Sequence, residues 1–117
     1  MSTTAASVSN LLGSTQDELK KLQVSFPENP SYRAMLAGLH AGVIERVGNF
    51  VGSISYGADE DLVIDLFKNA IKLSPNLAVL HNEFAIAILR LDNSDYDALL
   101  ISTLNNCVKL PIYSAEE

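Results

Sequence analysis

The fold is decided by two stretches, Leu66-Phe-Lys-Asn-Ala-Ile-Lys-Leu73 and Thr103-Leu-Asn-Asn-Cys-Val-Lys-Leu110, which lie 37 residues apart. In this register the apolar positions pair as Phe67 with Leu104, Ala70 with Cys107 and Ile71 with Val108. An apolar pattern that recurs at a fixed interval is typical of stacked helical repeats, because each unit buries one face against the next. The sequence therefore predicts an all-α fold of antiparallel helix-turn-helix units, in a right-handed stack or a small bundle.

The composition supports a single helical domain. The chain has 117 residues, which is enough to bury a core, and 48% of them are apolar. Aromatic residues make up only 7% and tryptophan is absent. The core must then consist mainly of Leu, Ile, Val and Ala, which suits close-packed helices better than a β-sandwich.

The charge balance restricts the kinds of partner. The formal net charge is -6, whereas nucleic-acid backbones and anionic lipid surfaces require positive charge on the protein. A partner protein with a basic patch is favoured electrostatically. The alternative is that the acidic surface serves only solubility.

Cysteine usage and hydropathy indicate a cytoplasmic protein. The single cysteine, Cys107, excludes an intramolecular disulfide and fits a reducing compartment. Residues 1–10 lack the basic start of a signal peptide. No uninterrupted apolar run reaches the length of about 18 residues that a membrane span needs.

About five helices are expected. Residues 1–13 are small and polar and are predicted to be a flexible leader, residues 14–111 the helical domain, and residues 112–117 a short acidic tail. Thr15 and Glu18 form a capping box, which predicts that the first helix begins at Thr15. The other helices are expected at 31–56, after the acidic turn 59–61, at 77–91, and from the turn 93–95 to Pro111.

The second of these helices carries glycines at four positions, Gly38, Gly42, Gly48 and Gly52. Each glycine inside a helix costs about 1 kcal/mol relative to alanine. Close approach of another helix to the bare backbone would compensate for this cost. The alternative is a break or hinge near Gly48.

Over residues 44–111 the chain resembles two degenerate tetratricopeptide repeats. The resemblance rests on Phe67, Ala70 and Pro75, which occupy the large, small and turn positions that this family uses at the end of a repeat. The first helices of the two repeats would supply the packing residues Val47, Phe50, Val51 and Ile54, and Phe84, Ala85 and Ile88. The chain departs from the family pattern at Val47 and His81, where a bulky aromatic residue is usual, and at Val51 and Pro111.

The resemblance implies a groove lined by the first helix of each repeat. Its candidate partner-binding residues are Glu45, Gly52, Ser55, Tyr56, Val79, Asn82, Ile86, Leu89 and Arg90. An apolar strip with a few polar anchors suits an extended or helical peptide. The alternative is that a fifth helix or a second subunit already covers this strip. Two repeats are fewer than the three or so that a stable stack usually needs. The N-terminal helices would therefore form a cap or a third unit. The alternative is that self-association covers the open end of the stack.

No catalytic residue, metal site or cofactor is predicted. The only histidines, His40 and His81, lack metal-ligand spacing, and Cys107 has no histidine placed to activate it. The acidic turns 59–61 and 92–97 are interpreted as helix caps, since the second lacks the glycine and distal glutamate of a calcium loop. Both turns connect the helices within a repeat, so we expect them on the same edge of the molecule.

The leading functional hypothesis is a non-enzymatic adaptor or chaperone that binds a peptide or helix of another protein. The alternative is a subunit of an oligomeric assembly, such as a secretion-system component, an immunity protein or a structural cap, whose helices mainly form a fixed interface.

Overall fold

The computed structural model describes residues 2–110, with side chains from Asn10 onward. It has five α-helices, α1 (Ser2–Ser25), α2 (Pro30–Tyr56), α3 (Glu60–Leu73), α4 (Ala78–Leu91) and α5 (Asp97–Lys109), and a 3-10 turn at Ser94–Tyr96. No strand occurs in this part of the chain. The prediction of an all-α fold with about five helices is confirmed. Pro111 and the predicted acidic tail 112–117 lie outside the described residues.

Helix α1 begins earlier than the capping box predicted. It starts at Ser2 and passes through Thr15, whose hydroxyl donates to the carbonyl oxygen of Leu11 at 2.9 Å. A threonine in a helix interior makes this bond to the residue four positions earlier. The prediction of a helix start at Thr15 is therefore wrong, and residues 2–13 of the predicted leader belong to α1.

Helix α2 is broken at Gly48. It begins at Pro30, one residue before the predicted start, and the side chain of Asn29 caps it by accepting from the backbone N–H of Ser31 at 2.9 Å. At Gly48 the backbone has φ 84° and ψ 163°, a conformation that is essentially restricted to glycine. The helix then resumes until Gly57, which ends it in the left-handed conformation with φ 68°. Of the two alternatives for this helix, the break is the one observed.

Most of the α2 glycines do not serve close helix packing. A Cβ atom at Gly38, Gly42 or Gly48 would have no neighbour within 4 Å. Gly52 differs, because a Cβ there would lie 3.5 Å from the side chain of Ile44, which is an ordinary packing distance. The expectation that another helix approaches the bare backbone at all four positions is wrong.

The replacements Gly42→Ala and Gly48→Ala should change stability in opposite directions. Alanine at Gly42 has free space and helical backbone, so we expect the free energy of unfolding to rise by about 1 kcal/mol. Alanine at Gly48 must adopt a positive φ, so we expect a loss of more than about 1 kcal/mol. Urea unfolding of both variants measures this. Equal effects at the two sites would contradict the break at Gly48.

The core lies where α2, α3 and α4 meet. α2 packs against both α3 and α4, while α1 covers α2 and α5 covers α4. At the centre, the rings of Phe67 and Phe84 stack with centroids 5.2 Å apart and planes 19° apart. Val63 of α3 and Ala37 of α2 are fully buried and belong to the same core cluster.

The buried faces of α2 and α4 have the same pattern. Shifted by 44 residues, five buried positions coincide, namely Leu36 with Leu80, Ala37 with His81, His40 with Phe84, Ala41 with Ala85 and Ile44 with Ile88. The apolar positions of α3 and α5 coincide at the shorter shift of 37 residues. The two shifts differ by seven residues because the segment from Gly48 to Tyr56 lengthens the connection between α2 and α3.

Among residues 2–110, none of the helices carries an apolar stretch long enough to cross a lipid bilayer.

Candidate functional site

A groove of about 520 Å³ lies beside the core, between α2 and α4. Residues spaced three or four apart on each helix face it, because this spacing places them on one side of an α-helix. Phe67 and Leu80 form part of its floor. The lining residues on α2 are Ser31, Ala34, Met35 and Gly38, and those on α4 are Val79, Leu80, Glu83, Ile86, Ala87 and Arg90.

The rims of this groove are apolar and exposed. Met35 on α2 is 57% exposed, and Val79 and Ile86 on α4 are 50% and 42% exposed. Gly38 lies between them and leaves its part of the wall without a side chain. A concave surface with exposed apolar side chains on facing helices is typical of a binding site for another apolar chain.

An ion pair lies at the end of the groove where Arg90 lines it. Nε of Arg90 lies 3.8 Å from Oε1 of Glu45, and both side chains are about half exposed. An exposed pair of this kind contributes little to stability. Its effect is to position a guanidinium and a carboxylate at the end of the apolar surface.

Beyond this ion pair the surface becomes acidic. A second depression contains Glu45, Glu60, Asp92 and Arg90, which is three carboxylates and one guanidinium. The side-chain amide of Asn93 donates to Oε1 of Glu60 at 3.1 Å and joins the two acidic turns. The prediction that these turns lie on the same edge is confirmed.

Tyr96 makes a second link between these turns. Its hydroxyl donates to Oδ1 of Asp61 at 3.3 Å. Partial burial, followed by the neighbouring Asp61 carboxylate, raises the pKa of the Tyr96 hydroxyl.

Six of the nine predicted contact residues lie at or beside the groove. Val79, Ile86 and Arg90 line it, and Glu45 forms an ion pair with Arg90. Asn82 and Leu89 are exposed on the adjoining ridge of α4, with Leu89 61% exposed.

The other three predicted contact residues lie elsewhere. Gly52 is buried against Ile44 and Ala58, so it is not open to a partner. Ser55 and Tyr56 follow the break at Gly48, and the carbonyl oxygen of Tyr56 accepts from the side chain of Gln16 in α1 at 3.3 Å. The expected surface is therefore corrected, because the part of α2 that faces α4 precedes Gly48.

Met35, Gly38 and Glu83 also line the groove but were not among the predicted residues. A signal for the first two was present in the sequence. Asn29-Pro30 precedes α2 much as Ser74-Pro75 precedes α4, and the 44-residue shift aligns the two helices. Those features identify 30–47 as the counterpart of α4.

The described residues contain no group of three or more His, Cys, Asp or Glu side chains that could hold a metal ion.

The two histidines and the cysteine lie in different surroundings. Nε2 of His81 lies 2.9 Å from the carbonyl oxygen of Pro75. The half-buried Cys107 thiol faces the carbonyl oxygen of Ala78 at 3.8 Å. His40 is 2% exposed, and neither of its ring nitrogens has a hydrogen-bond partner. Burial, and secondarily Lys20, lowers the pKa of His40.

Comparisons of this chain with protein-family models, with curated proteins and with solved structures found no match. Over residues 2–110 its class is that of an all-α chain with five helices and a partly apolar groove between α2 and α4.

Proposed function

We propose that this chain is a non-enzymatic interaction module, an adaptor or chaperone, that binds a peptide or helix of a partner protein in the groove between α2 and α4. The observation that carries the proposal is the exposure of Met35, Val79 and Ile86 on facing helices around the bare backbone of Gly38. Burying such side chains against a partner would contribute about 25 cal/mol for each Å² of apolar surface removed from water.

The coincidence of buried positions supports the resemblance to tetratricopeptide repeats. It pairs α2 with α4 as first helices and α3 with α5 as second helices. The first unit then begins at Pro30 rather than near Ile44. In this arrangement the groove is the inner surface formed by successive first helices, which is where the resemblance places the binding site.

The acidic end of the groove indicates the chemistry of the partner. Glu45, Glu60 and Asp92 outnumber Arg90 there, and the chain as a whole has a net charge of -6. A partner segment with apolar residues along the groove and a lysine or arginine at this end is complementary to it. Such complementarity raises the association rate and makes it sensitive to salt.

The replacement Ile86→Glu should abolish most of the binding. A carboxylate in the middle of the apolar rim must be desolvated when the partner binds, so we expect the affinity to fall by about 30-fold or more. Val24→Glu is the matched control, because Val24 is 82% exposed on α1 and lies outside the groove.

The partner can be captured first with a photo-crosslinking residue at position 86 and, separately, at position 24. We expect an adduct at position 86 alone, and its yield should fall as the salt concentration rises. The partner in that adduct is then purified and titrated against the wild type and both variants. Equal adducts at the two positions, or equal affinities of Ile86→Glu and Val24→Glu, would refute the groove as the binding site.

The second candidate function is a subunit of an oligomeric assembly. It is favoured by the outer surface of α5, where Ile101 and Val108 are 60% and 79% exposed.

A further inference from the structure

Helix α5 has an apolar strip that no other described part of the chain covers. Ile101, Leu104 and Val108 are 60%, 44% and 79% exposed. Their counterparts in α3 at the 37-residue shift, Ile64, Phe67 and Ile71, are buried or half-buried. The same type of helix face is therefore covered in one half of this protein and open in the other.

The composition of α5 is that of an interface helix. Residues 98–108 include no charged side chain, although 19% of the whole chain is charged. A helix face that remains in water usually carries charged residues, whereas the central part of a protein interface is depleted of them. The strip is thus suited to an uncharged, apolar partner surface.

The charges at the two ends of α5 make the strip complementary to itself. Asp97 lies in the first turn and Lys109 in the last, and both are exposed. When two such helices lie antiparallel about a twofold axis near residue 103, Asp97 of each copy approaches Lys109 of the other. The two helix dipoles are also antiparallel in this arrangement, so that the positive end of each helix lies beside the negative end of the other. The spacing of Ile101, Leu104 and Val108, three and four residues apart, is that of a coiled-coil seam.

We propose that α5 is a self-association surface that pairs antiparallel with α5 of a second copy of the chain. The proposal is independent of the groove between α2 and α4. A helix of 13 residues is about 20 Å long, so the strip is far smaller than the ~800 Å² per partner of stable complexes. The dimer is therefore weak, with a dissociation constant in the micromolar range or above.

Sedimentation equilibrium between about 10 µM and 1 mM tests the surface. We expect the wild type to shift from monomer to dimer over this range. Ile101→Glu should raise the dissociation constant at least tenfold, whereas Ile86→Glu, the same replacement in the groove, should leave it unchanged. A wild type that stays monomeric throughout, or a dimer that Ile101→Glu does not weaken, would overturn the proposal.

Cross-linking tests the antiparallel geometry. Cysteines are introduced at Leu104 or at Ala98 in a Cys107→Ser background and treated with a short bismaleimide. About a twofold axis near residue 103, the two copies of position 104 are about 3 Å apart along the helix axis, and those of position 98 about 15 Å. We expect efficient cross-linking at Leu104→Cys and little at Ala98→Cys. Equal efficiency at both positions, or none at either, would contradict antiparallel pairing.

Discussion

Phe67→Ala should lower the free energy of unfolding by about 3–5 kcal/mol. Phe67 is 2% exposed and its ring stacks on that of Phe84 at a centroid distance of 5.2 Å. The truncated side chain leaves a cavity where α3 meets α4, and the surrounding helices relax only in part. Since a domain is stable by about 5–15 kcal/mol in total, this one change removes a large share.

Urea unfolding followed by circular dichroism measures the effect. Phe50→Ala is the matched control, because Phe50 is 76% exposed after the break in α2, and its loss should change stability by no more than about 0.5 kcal/mol. Similar losses in both variants would show that Phe67 and Phe84 are not the centre of the core. Because Phe67 also lies under the groove, its variant should lose partner binding as it loses structure.

His40→Leu should raise stability by about 1–3 kcal/mol at pH 7.5. His40 is 2% exposed, and its two ring nitrogens have no hydrogen-bond partner within the protein. Burying an unsatisfied polar group costs free energy of this order. Leucine has a similar volume and no polar atoms, so it removes the cost without opening a cavity.

The same histidine should make the wild type sensitive to mild acid. Burial, and secondarily Lys20, lowers the pKa of His40 below its usual 6.5, while Asp59 opposes this shift more weakly. The unfolded chain then binds a proton more readily than the folded one. Stability is therefore fully present above pH 6.5 and falls as the pH decreases toward the lowered pKa, by at most about 1.4 kcal/mol per pH unit.

Urea unfolding at pH 7.5, 6.5 and 5.5 tests this expectation. The wild type should lose stability across the series, and His40→Leu should lose much less. Gly42→Ala is the control, since it should be more stable than the wild type while keeping its pH dependence. An equal decline in all three proteins would place the acid sensitivity elsewhere.

The sequence predicted α3 and α4 well because strong local signals coincide there. Asp59 caps α3 through the backbone N–H of Asp61, and Pro75 separates the two helices. The start of α1 was missed because Thr15 is compatible both with a helix cap and with a helix interior. The sequence did not decide between a continuous α2 and a break at Gly48, because four glycines in one helix do not indicate which of them adopts a positive φ.

The groove was predicted on one side only. Val79, Ile86 and Arg90 on α4 were identified, but Met35 and Gly38 on α2 were not. The reason is that the 37-residue shift that relates α3 to α5 does not relate α2 to α4, whose buried positions coincide at a shift of 44 residues. A constant spacing holds only when the connections within the two helix pairs are of equal length.

The break at Gly48 has a consequence for how this chain could have evolved. Seven additional residues correspond to about two turns of helix, and they fall in the connection after Val47. Because the chain leaves the axis of α2 at Gly48, these residues shift neither Ile44 nor Val63 out of the core. Insertions and deletions in this connection should therefore be tolerated, because they leave the packing of α2 against α3 and α4 unchanged.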